Sequence, residues 1–66
     1  MNVTVNGEMH KIEDGTDLAQ LLKQMELNAD CVAVECNLDV VEREAFSSTP
    51  LSEGDTLEIV SFVGGG

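Results

Sequence analysis

The sequence predicts an α+β domain in which a mixed sheet of four to five strands packs on one main helix, in the order ββαβββ. Three observations carry that expectation. Alternating apolar residues flank Asn6-Gly7, a single stripe with helical period runs from Leu18 to Met25, and β-favouring runs separated by turn residues fill the remainder.

In Met1–Val5, Val3 and Val5 fall on one face and Asn2 and Thr4 on the other. Asn6-Gly7 then calls for a type I′ hairpin, whose two central residues need positive φ. The second strand covers 8–13, with Met9 and Ile12 on opposite faces, so a bulge or an early end is expected. Asp14-Gly15 breaks it. Thr16 is the expected cap of a helix whose Leu18, Leu21, Leu22 and Met25 form one buried stripe. Asp17 in the first turn and Lys23 near the far end suit the helix dipole. Residues 27–30 read as a loop anchored by Leu27.

Cys31–Cys36 is a strand with Val32, Val34 and Cys36 on one face, and residues 37–39 turn it into Val40-Val41 as a second hairpin. Residues 42–50 are irregular, with Phe46 as a core plug, Ser47-Ser48-Thr49-Pro50 as a surface connection and Leu51 as the far anchor. Glu53-Gly54-Asp55 is a tight turn, and residues 56–63 are the last strand. One helix covers one side of a sheet, so Leu57 and Ile59 are expected inside and Glu58, Val60 and Phe62 outside. Val60, Phe62 and the adjoining Val63 would then form an exposed apolar docking patch, or Phe62 tucks against a neighbouring loop. A hairpin, a crossover helix and a strand returning beside the first make the β-grasp (ubiquitin-like) arrangement. Residues 1–63 form that domain, and residues 64–66 a flexible glycine tail.

Composition narrows the function. A chain of 66 residues holds one small core and leaves little room for a catalytic cleft. Thirteen acidic against three basic residues give a net charge of −10, which repels nucleic acid and anionic membranes and favours a protein partner with a basic face. No apolar run is long enough to span a bilayer and no leader pattern is visible, so a cytoplasmic location is expected. Cys31 and Cys36, an odd spacing apart in one strand, point to opposite faces and are expected as buried or half-buried thiols, not a bridge. No zinc-type spacing, phosphate loop or Ser-His or Cys-His pair is present, and His10 reads as a surface strand residue. The acidic pairs Asp14/Asp17 and Glu53/Asp55 sit at turns without a calcium-loop series.

The informative end is Gly64-Gly65-Gly66. Without Cβ atoms, three glycines extend roughly 10 Å through a channel too narrow for ordinary residues, leaving the Gly66 carboxylate as the chemical end. A carboxyl with a pKa of about 3.5 is ionised at neutral pH, resists nucleophiles and must be converted to a mixed anhydride before one can attack it.

Val-Thr-Val-Asn-Gly-Glu at 3–8, Asp17-Leu18-Ala19-Gln20-Leu21-Leu22, Val32-Ala33-Val34-Glu35-Cys36-Asn37, the Thr49–Asp55 turn and the ending Glu58–Gly66 together resemble the ThiS family of ubiquitin-like sulfur carriers. The resemblance implies a carrier with no catalytic residues of its own and no bound cofactor. It implies that a ThiF-type adenylyltransferase uses ATP to adenylate the Gly66 carboxylate, with Gly65 and Gly64 as the slim approach. A sulfur donor protein then converts the end to a thiocarboxylate, whose sulfur goes to a ThiG-type thiazole synthase. It assigns no role to Cys31 or Cys36. Other readings stay open on the sequence: the small subunit of molybdopterin synthase or a carrier for another pathway, a ubiquitin-like modifier joined to lysine, or a β-grasp binding module with a frayed end.

Overall fold

A computed structural model describes residues 1–62. Its strands are β1 (Asn2–Val5), β2 (Glu8–Lys11), β3 (Val32–Cys36), β4 (Asp39–Val41) and β5 (Thr56–Ser61), with one α-helix, α1 (Leu18–Gln24). They form a five-stranded sheet in the order β2-β1-β5-β3-β4. The last strand thus occupies the centre, parallel to β1 and antiparallel to β3. This is the expected β-grasp architecture.

Both outer hairpins turn on Asn. Val5 pairs with Glu8 across Asn6-Gly7, whose φ values of 49° and 85° are those of a type I′ turn. Cys36 pairs with Asp39 across Asn37-Leu38, where φ is 52° and 74°. Leucine is a costly residue for that conformation, because its Cβ crowds the following carbonyl. Strand β2 ends early, at Lys11, which lets Ile12 turn into the core.

The helix cap differs from the expectation. Asp17, not Thr16, is the N-cap: its Oδ1 accepts from the Gln20 N–H at 2.8 Å, and Gln20 Oε1 accepts from the Asp17 N–H at 2.9 Å. Asp17 therefore precedes the first turn, which holds no acidic residue. Thr16 is also a good capping residue, but three places on it has Ala19, which cannot close a capping box as Gln20 does. Its hydroxyl instead donates to the Glu13 carbonyl at 2.7 Å, inside the turn. At the other end, the Leu27 N–H donates to Leu22 O and the Glu26 N–H to Lys23 O, a Schellman stop with Glu26 at φ 60° where glycine is usual.

The helix buries Leu18, Leu21 and Leu22 against Val3, Val5, Val34, Leu57 and Ile59 of the sheet. Cys31 lies in a short 3-10 turn (Ala29–Cys31), so β3 begins one residue later than the alternation suggests. The stretch read as irregular forms a second 3-10 segment, Arg43–Ser48, which places Phe46 in the core beside α1. From there Thr49–Leu51 ties back to the helix start: the Leu18 N–H donates to Thr49 O and the Leu51 N–H to Thr16 O, both at 3.0 Å.

Candidate functional site

Strand β5 leads to the glycine end, and three separate devices hold it. The first is its central place in the sheet, with backbone neighbours on both sides. The second is Asn6, whose side-chain amide copies a peptide group. Its Nδ2 donates to Ile59 O at 3.0 Å and its Oδ1 accepts from the Ile59 N–H at 2.8 Å, so the β1 side of the ladder continues past the hairpin turn. The third is Asn37 at the opposite turn. Its backbone N–H donates to Thr56 O at 2.8 Å, its Oδ1 accepts from the Thr56 N–H at 3.0 Å, and its Nδ2 donates to Asp55 Oδ1 at 2.9 Å. Neither staple is visible in the sequence beyond the turn preference of Asn, since its partners lie 53 and about 19 positions away.

The start of β5 is locked as well. In the Ser52–Asp55 turn the Ser52 N–H donates to Asp55 Oδ2 at 2.8 Å, and Gly54, at φ 86°, donates its N–H to Asn2 O at 2.8 Å. Glu53 accepts from the Asn2 N–H at 2.9 Å, Asp17 caps α1, and Asp14 faces the Met1 ammonium at 3.4 Å. The carboxylates of the two acidic turns are thus engaged in local structure. Among the described residues, no group of three or more His, Cys, Asp or Glu is placed to hold a metal. Nor is any helix among them long and apolar enough to cross a membrane.

Of the expected site residues, Val60 and Phe62 lie on the sheet face away from α1, 59% and 53% exposed, while Leu57 and Ile59 are buried beneath them. Phe62 is not tucked under a loop. Its backbone N–H donates to Cys31 O at 2.7 Å, extending the β3–β5 ladder to the last described residue. Val63, Gly64, Gly65 and Gly66 lie outside the described residues. Cys31 and Cys36 are half-buried thiols not bridged to each other. Burial, then the carboxylates of Asp55 and Asp39, push the Cys36 thiol above its ordinary range. At neutral pH that side chain is protonated and a weak nucleophile.

The described residues form a body that fixes the strand leading to the glycine end. Residues 3–66 match the ThiS family model. The chain belongs to the ThiS family of sulfur carriers. The crystal structure of ThiS from Geobacter metallireducens is 39% identical and superposes with a TM-score of 0.84 over 100% of both chains. The sulfur carrier protein ThiS of Bacillus subtilis is 36% identical over 63 residues, 94% of this chain and 96% of that one. A thiazole synthase of Magnetococcus marinus is 42% identical over 66 residues, 100% of this chain. The chain spans only 20% of the length of that synthase and of a second one, from Paramagnetospirillum magneticum.

Proposed function

We propose that this ThiS-family chain carries sulfur for the thiazole of thiamine, with the Gly66 carboxylate as the loading point. An ATP-dependent ThiF-type enzyme joins the carboxylate to AMP and releases pyrophosphate. Sulfide-level sulfur from a donor then attacks the acyl carbon, the acyl–phosphate bond breaks, and AMP leaves with its electron pair. The resulting thiocarboxylate gives its sulfur to a ThiG-type thiazole synthase. The carrier contributes position, not catalysis: the chain is pinned up to Phe62, and Val60 and Phe62 offer an exposed apolar landing on the segment that leads to the end; Val63 follows them in sequence.

The observation that carries this reading is that the family match extends through residue 66 and so includes the glycines. The likeness of the whole chain to part of two thiazole synthases supports thiazole, not molybdopterin, as the product fed. Incubation with a ThiF-type enzyme, ATP and a sulfide source tests it. Intact-protein mass spectrometry should show the gain of one sulfur for one oxygen, lost when Gly65 and Gly66 are deleted. An unchanged mass, or loading that survives the deletion, refutes it.

A further inference from the structure

The outward face of the sheet contains a conflict that folding does not require. Glu35 and Glu58 are direct cross-strand partners on β3 and β5, both exposed on the face away from α1. Like charges so opposed, with Cβ atoms about 5 Å apart, destabilise a sheet. The ion pairs among the described residues are Met1 ammonium with Asp14 and Arg43 with Asp30, so neither glutamate is neutralised from within them. Apolar side chains surround the pair. Val40 is the partner of Glu35 on its other side, Val60 is the partner of Ala33, and Phe62 follows along β5. Val40 is 68% exposed. At the corner, the 90% exposed Leu38 and residues Asn37, Thr56 and Glu58 line a hollow.

We propose that this face docks a partner protein through an apolar contact carrying one arginine or lysine, its cationic head between Glu35 and Glu58 and its aliphatic stem along Leu38. The inference rests on the sulfur-carrier reading and names the surface that the activating enzyme presents. A carboxylate pair accepts a guanidinium fork or an ammonium, and a long basic side chain buries its methylenes against an apolar wall while its charge stays paired. The charge of −10 attracts such a surface from a distance. A second copy of this chain would instead bring glutamate against glutamate.

Calorimetric titration into a ThiF-type enzyme at low and high salt, with loading followed by mass spectrometry, tests the proposal. The E35Q/E58Q variant is expected to hold or raise its melting temperature, yet bind roughly tenfold more weakly with a flatter salt dependence. Opposite signs for stability and affinity distinguish docking from a structural role. E26Q/E44Q removes the same charge elsewhere and should stay within about twofold of wild type. Unchanged affinity and salt slope in E35Q/E58Q, with wild type loading normally, overturns the docking proposal alone. A wild-type chain that neither binds nor loads overturns it together with the sulfur-carrier reading. A dimer in sedimentation that V60D dissociates assigns the face to a second copy, and also overturns it.

Discussion

Replacing Asn6 by glycine isolates the staple on β5. Alanine would confound the measurement, because it keeps a Cβ at φ 49° without the local side-chain hydrogen bonding that lets Asn tolerate that conformation, whereas glycine adopts it freely. Two hydrogen bonds disappear, the 3.0 Å bond to Ile59 O and the 2.8 Å bond from the Ile59 N–H, both partly buried. Each contributes about 1 kcal/mol net, and the partly shielded Ile59 groups are left to find water, so the loss is about 2 kcal/mol. The extra backbone freedom of glycine in the unfolded chain adds about 0.5 kcal/mol. Together these come to about 2.5 kcal/mol, which in a domain of this size lowers Tm by roughly 10–20 °C. Urea denaturation should show a lower midpoint at unchanged slope, and hydrogen exchange should show the Ile59 amide losing protection. A midpoint equal to wild type, with Ile59 still protected, would show that the staple contributes nothing and that sheet pairing alone holds the strand.

Leu38→Gly should stabilise the fold by about 0.5–1 kcal/mol, since it relieves the φ of 74° at an exposed position; a lower melting temperature would refute the strain argument. Phe62→Asp should leave the melting temperature near wild type because the ring is 53% exposed, while weakening binding to a ThiF-type enzyme by about 1–3 kcal/mol; unchanged affinity removes Phe62 from the proposed docking face. For Cys36, the raised thiol pKa means the folded chain holds the proton more tightly than the unfolded one. The associated stability is full below the ordinary thiol range and is lost as pH rises through the folded pKa. Cys36→Ser should flatten that alkaline decline in thermal melts, and iodoacetamide should modify native Cys36 more slowly at pH 8 than an unfolded thiol; equal rates would contradict the shift.

Much of this architecture can be read from local pattern. Period-two alternation assigns the faces of β1 and β5, Asn6-Gly7 marks its turn, and the stripe of Leu18, Leu21, Leu22 and Met25 marks the helix, although Met25 is its partly buried C-cap, because each of these signals involves neighbours in sequence. Where the reading misses, two local options compete or the deciding partner is remote. Thr16 and Asp17 are equally good caps until Gln20 closes the box with one of them. The second hairpin is read correctly but with its turn one residue too long, because Asn37-Leu38 lacks the glycine that flags a two-residue turn, and Glu26 stands where a glycine would announce the helix stop. The two 3-10 segments are too short for periodicity to reveal. At the candidate site, the exposure of Val60 and Phe62 follows from strand parity. The confrontation of Glu35 with Glu58 depends on inter-strand register, and the Asn staples depend on tertiary contact, so neither is written in any short window.

The central position of β5 also has a consequence for biosynthesis. The β1–β2 ribbon and the β3–β4 ribbon do not pair with one another; each pairs with β5. Until residues 56–61 emerge from the ribosome, the two ribbons have no common seam and the sheet cannot close. A polypeptide cut short before β5 would lack the strand that unites its halves. The sheet therefore closes only once residues 56–61 have been made.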